Sequence, residues 1–193
     1  MNVILTSLPL SKIAQGSSNH ISAHQTVMGL FPPLGDNPRS EAGVLFRVQP
    51  GLGTLLIQST AIPSPQQVDE LDGRSKTIAL EEWKPGDRFE YQIDVAAVRR
   101  IRSVERRLPS SEIPDWWSQL AERNGFEVLG ELSGHLFGTK DRTGKGAQPH
   151  LRVATMQGVG VVTSGAALLK ARMSGLGRAR GYGCGLLTAL RIP

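Results

Sequence analysis

The chain has 193 residues, 39% of them hydrophobic, and a formal net charge of +5. That length suits one large or two small domains, and the single cysteine, Cys184, excludes a disulfide framework or a Cys-rich zinc site and points to a reducing compartment. No apolar run approaches a membrane span, and the start lacks the basic region and cleavage site of a signal peptide, so a cytoplasmic protein is expected.

In chain order, Met1–Leu10 reads as a strand. Gly16-Ser17-Ser18-Asn19 is turn and cap chemistry. From His20 to Phe31, the residues Ile21, His24, Val27, Met28 and Phe31 follow one helical face, and Pro32-Pro33 closes it. Ala42–Val48 and Gly53–Ser59 read as a hairpin. Ile62 to Lys76 reads as loop or a poorly formed helix, and Arg88–Val98 as a strand.

A helix is expected from Ser110 or Ser111, with Pro114 in its first turn, Ile113, Trp117, Leu120 and Ala121 as its stripe, and Asn124-Gly125 as its stop. Phe126–Leu132 reads as a strand, Gly138 to Gln148 as a basic loop, and Leu151–Val162 as a strand broken around Gly158 and Gly160. Ser164 caps a helix over Gly165–Ser174, and Leu186–Ile192 is the last strand. The element order suggests an α+β fold of two tandem ferredoxin-like domains. The expected division is 1–96, with the first helix, and 97–193, with a basic surface.

Charge divides along the same line. Residues 1–98 carry a net −3 and residues 99–193 a net +8, so the second half is the one to face an acidic partner. Sixteen of the 22 basic residues are Arg, which suits phosphate, although a genome biased towards Arg codons gives the same excess. Three features concentrate this charge. Arg99, Arg100, Arg102, Arg106 and Arg107 fall within nine residues. Lys140, Arg142 and Lys145 lie in a loop, with Arg152 just beyond it. The third feature is the run from Gly175 to Leu187, in which Gly175, Gly177, Gly181, Gly183 and Gly185 alternate with Arg178, Arg180 and Tyr182.

That run is not a dinucleotide-binding turn: it follows a helix, precedes a strand and has Arg180 where the third glycine belongs. Its glycines fit either tight helix-to-strand packing or close approach of a phosphate backbone. With aromatics at 5%, stacking on a long single strand is disfavoured, and recognition of a hairpin stem by shape and charge is favoured. His20 and His24 share one side of the first helix. A histidine there is either a packed core residue or a base of near-neutral pKa, able to take a proton from an RNA 2′-hydroxyl. No neighbouring residue completes a metal site.

The run Gly175-Leu176-Gly177-Arg178 through Gly181-Tyr182-Gly183-Cys184-Gly185-Leu186-Leu187 resembles the C-terminal signature of the CasE family, the type I-E CRISPR RNA-processing endoribonucleases of the RAMP superfamily. Asn19 to Pro32, Gly43-Val44-Leu45-Phe46-Arg47, Trp116-Trp117 through Asn124-Gly125-Phe126, and Met156-Gln157-Gly158 extend the resemblance. It implies cleavage of a CRISPR repeat stem-loop without metal or cofactor, leaving a 2′,3′-cyclic phosphate. It also implies retention of the product as a subunit of the Cascade complex. The free protein is expected to be monomeric and away from membranes.

By position, His24 takes the family's general acid/base role, and His20 is a second proton-transfer candidate. Gly175, Gly177, Arg178 and Arg180 join Arg99, Arg100, Arg102, Arg106, Arg107, Lys140, Arg142 and Arg152 as RNA-binding candidates. Ile21 and Gly29 stand where relatives often place Tyr and Lys, and Asn19-His20 replaces an Asn-Pro; these departures leave open a repeat-RNA-binding subunit without catalysis.

Overall fold

The computed structural model describes residues 1–13, 20–32, 43–101, 104–138 and 152–193. Its first half runs β1 (Asn2–Pro9), α1 (His20–Gly29), β2 (Leu45–Gln49), β3 (Thr54–Ser59), α2 (Pro65–Glu70) and β4 (Arg74–Ala79). Ala23, Val27, Leu30 and Phe31 line one side of α1 and its end, at helical spacing. They bury against Leu8, Phe46, Leu55 and Ile57 of the sheet. The sheet order is β2-β3-β1-β4, and every pairing is antiparallel.

The second half repeats this plan. β5 (Arg88–Ala96), α3 (Ile113–Arg123), β8 (Phe126–Gly138), β9 (Arg152–Val162), α4 (Gly165–Ser174) and β10 (Thr188–Ile192) form a sheet of order β10-β5-β9-β8. An additional two-stranded ribbon, β6 (Val98–Ile101) and β7 (Val104–Arg107), is inserted before α3. Both halves have the β-α-β-β-α-β order of a ferredoxin-like domain, as expected. Trp117 of α3 is fully buried among Phe89, Tyr91 and Phe126, and its indole N–H donates to the Tyr91 hydroxyl at 3.0 Å. Burial raises the Tyr91 pKa, partly offset by that hydrogen bond.

Three sequence expectations change. The polar stretch 62–76 forms a real helix, α2, whose N-cap Ser64 accepts from the Gln67 N–H, followed by β4. β4 hides from pattern reading because it is an edge strand with Arg74, Ser75, Lys76 and Thr77 all exposed. Consequently Arg88–Ala96 opens the second sheet rather than closing the first. The change of sheet falls between Ala79 and Arg88, upstream of the expected 96/97 division.

β9 is not broken at its glycines. A Cβ on Gly160 would stand 2.8 Å from the Phe89 ring and 3.1 Å from the Phe126 ring, so two aromatic rings fill the place of its side chain. The arginine cluster is a paired ribbon with Arg99 opposite Arg106. Its charge density conceals the strand alternation.

The halves meet through a buried ion pair. Arg47 Nε of β2 lies 3.3 Å from Asp94 Oδ2 of β5, with side chains 5% and 3% exposed. Its Nε–H does not point along the contact, so the link is charge rather than a hydrogen bond. Arg47 also donates to the Thr188 hydroxyl, and Thr155 donates to the other Asp94 oxygen at 2.7 Å. Gln58 donates to the Arg172 carbonyl at 2.8 Å, tying β3 to α4.

Candidate functional site

The Gly175–Leu187 segment is pinned, not slack. The Leu176 N–H donates to the Gly185 carbonyl at 2.9 Å, and the Gly185 N–H to the Asp94 carbonyl at 2.7 Å. Arg180 donates through Nε to the Gly177 carbonyl at 3.1 Å and through Nη1 to the Ser174 carbonyl at 2.6 Å. Leu176, Cys184, Leu186 and Leu187 are buried beneath it. Gly185, at φ +88, lies so close to the opposing strand of the loop that a Cβ would meet the Leu176 carbonyl at 2.6 Å. Arg180 is therefore a staple of the loop in addition to any ligand it meets. Arg178, earlier in the same loop, is exposed.

So fixed, the loop wraps the edge of β2 and reaches α1. The short helical turn Arg180–Tyr182 touches both elements. There the His24 ring lies 6.2 Å from the Tyr182 ring and 6.5 Å from the Phe46 ring, between centroids. His24 is half-buried, and its Nδ1 is closed off from solvent without a hydrogen-bond partner among the described residues. Tyr182 is 38% exposed. A basic ring, an aromatic ring and a turn of backbone thus meet at one surface point, drawn from opposite ends of the chain.

The arginine ribbon adjoins this point. Val98 at its base and Ala179 of the loop pack on the same small cluster of Ala96, Val153 and Cys184. Arg99, Arg106 and Arg107 are exposed. Arg99 makes a 3.5 Å contact with exposed Glu112, a pairing weak enough to yield to a phosphate. Burial, reinforced by the negative charge of Asp94, pushes the Cys184 thiol pKa upward, so Cys184 is an inert packing residue.

The remaining candidates are located only in part. His20 opens α1, Arg100 sits opposite Glu105 in the ribbon, and Arg152 opens β9 opposite Gly138. Arg102, Lys140, Arg142 and the basic loop around them lie outside the described residues. Among the described residues, no three His, Cys, Asp or Glu side chains gather as a metal site, and no helix is long and apolar enough to cross a membrane. Sequence reasoning missed the placement of Tyr182 beside His24. Its only signal was being the one aromatic in the glycine run.

The family model for CRISPR-associated proteins matches residues 5–191. The chain belongs to the CRISPR-associated protein family. This bears out the resemblance read from the glycine run. None of the curated proteins matches it in sequence. Among solved structures, this family member resembles the CRISPR endoribonuclease Cse3 bound to a 19-nucleotide RNA, with 19% identity, 98% of each chain covered and a TM-score of 0.79. It also resembles Cas6e from Escherichia coli K-12, at 18% identity over 100% of both chains with a TM-score of 0.66. A chain of a CRISPR RNA-guided surveillance complex is similar at 23% identity, covering 98% of this chain and 100% of that one, with a TM-score of 0.65. At these identities the likeness establishes the shared fold.

Proposed function

We propose that this protein is a metal-independent endoribonuclease that cuts CRISPR repeat stem-loops in precursor RNA. It then stays on its product as a subunit of the surveillance complex, in the cytoplasm. The observation that carries the reading is the closure of the glycine loop over His24, beside an exposed arginine ribbon. The solved relatives with RNA and within a surveillance complex support it.

In this reading His24 Nε2 takes the proton from a 2′-hydroxyl. The freed oxygen attacks the adjacent phosphorus, and the bond to the 5′ oxygen of the next nucleotide breaks. A 2′,3′-cyclic phosphate forms, and the departing oxygen receives a proton, for which His20 is the candidate donor. Tyr182 presents an aromatic face to an unstacked base at the cut. Arg178 and the ribbon arginines hold phosphates and steady the charge that develops. Arg100, Arg102, Lys140, Arg142 and Arg152 extend the contact along the stem.

One observation favours a second reading, binding without cleavage. No polar side chain among the described residues orients His24 through Nδ1. Incubating the protein with its cognate repeat RNA in EDTA separates the two. Cleavage that persists in EDTA and is abolished by His24→Ala, with binding retained, supports the enzyme. Tight, salt-sensitive binding by an intact wild type that never cuts supports the binding subunit. Equal affinity for a random RNA would remove both.

A further inference from the structure

Among the described residues, helices cover the second sheet on one face only. Phe89, Tyr91 and Ile93 of β5 point into the core beneath α3 and α4. Glu90 and Gln92 alternate with them onto the opposite face. One end of that opposite face is closed within the molecule by Arg47 on Asp94 and by Cys184 on Ala96 and Val153. Beyond Asp94 the same face lies open.

Strand register defines what is exposed there. Leu190, Glu90, Val159 and Leu129 form one row across β10, β5, β9 and β8. Thr188, Gln92 and Gln157 form the next. Leu190 is 68% exposed and Leu129 37%. A shallow recess of about 520 Å³ runs between Glu90, Gln92, Gln157, Val159, Thr188 and Leu190.

The chemistry of this face is opposite to that of the ribbon. Its central row is apolar with Glu90 inside it, and Glu127 stands beside it on β8. Arg88, in the row with Val161 and Ile192, is the one cation that register places on the uncovered rows of the described residues. Among the described residues this face carries carboxylates and no outward aromatic ring, so it repels a nucleic-acid backbone and offers a base nothing to stack on. An apolar strip flanked by carboxylates suits a protein segment with apolar anchors and Lys or Arg at their sides.

We propose that this open face seats a neighbouring protein subunit of the RNA-guided complex, through an apolar segment flanked by basic residues. The inference rests on the subunit reading above and adds the surface. The strip adjoins the end of the same face where Arg47 of the first half already meets Asp94, so a bound segment extends an existing interface. The arrangement leaves the ribbon and the glycine loop to RNA, so one molecule holds stem-loop and neighbour together.

The test is co-expression of the protein with a repeat-containing transcript and the other complex subunits encoded in its own genome, pulled down through a tag on one of those subunits. Leu190→Glu and Glu90→Lys, both at exposed positions, are compared with wild type. The expected result is at least a tenfold loss of each variant from the complex, with melting temperature, hairpin affinity and hairpin cleavage of the isolated variants unchanged. Variants retained at wild-type stoichiometry overturn the surface. So does a loss of hairpin affinity, which would make the face an RNA platform. A wild type that is dimeric alone and split by Leu190→Glu would make it a contact between copies, and also overturns the proposal. A wild type absent from the complex overturns the subunit reading, and this proposal with it.

Discussion

Arg47 and Asp94 hold the two sheets together as a buried ion pair, and the backbone of Asp94 also receives the Gly185 N–H of the glycine loop. One residue therefore anchors both the neighbouring domain and the loop that closes over His24. Removing one member leaves the other charged and buried. Asp94→Ala is expected to cost about 3–5 kcal/mol of stability, whereas Arg47→Met combined with Asp94→Leu costs clearly less. Urea unfolding of the three proteins checks this, with equal losses counting against a paired role.

Arg178 and Arg180 separate by function. Arg180→Ala removes two hydrogen bonds to loop carbonyls and is expected to lower the melting temperature as well as RNA affinity. Arg178→Ala, on the exposed side, lowers the melting temperature less than Arg180→Ala does and flattens the salt dependence of binding. The slope of log K against log salt falls by about 0.7–0.9 for each phosphate that is no longer neutralised. Titrations at several salt concentrations, paired with thermal melts, distinguish the two.

Tyr182 is expected to matter for cleavage through its ring. Tyr182→Phe keeps most activity, and Tyr182→Ala loses about tenfold or more, consistent with the ~1–3 kcal/mol of a base–aromatic stack. Single-turnover cleavage of the repeat hairpin measures it. A phenylalanine variant as impaired as the alanine one would assign the role to the hydroxyl instead.

Gly185→Ala forces a side chain onto a left-handed backbone and against the Leu176 carbonyl. A loss of about 1–3 kcal/mol is expected, with cleavage reduced more than stability alone explains. Replacing Gly177, which also has positive φ but open space around it, costs less. Denaturation and cleavage of the two variants give the comparison.

Cys184 stays a neutral thiol in the folded protein, because burial and Asp94 raise its pKa. As pH climbs past the ordinary thiol value, the unfolded chain releases this proton and the folded chain does not, so alkaline pH weakens the fold. A thiol reagent at pH 8 is expected to react only after denaturation. Fast labelling of the native protein would contradict this.

Much of the fold was legible. Ile113, Trp117 and Ala121 carry a helical period, Pro114 and Asn124-Gly125 mark its ends, and α3 lies there. α1 and α4 were legible for the same reason. β4 was not, because an exposed edge strand has no buried face to set a period. The ribbon was obscured because four arginines, Arg99, Arg100, Arg106 and Arg107, mask its alternation. His24 was singled out through helix position and family pattern. Its contact with Tyr182 could not be, since no spacing rule links residues so far apart in sequence.

That contact makes the centre late to exist. α1 is made before Tyr182 and the loop that anchors it, which follow only after both sheets have most of their strands. A ribosome partway through this protein carries His24 without its cover, and the site stays unassembled until the second half has folded against the first.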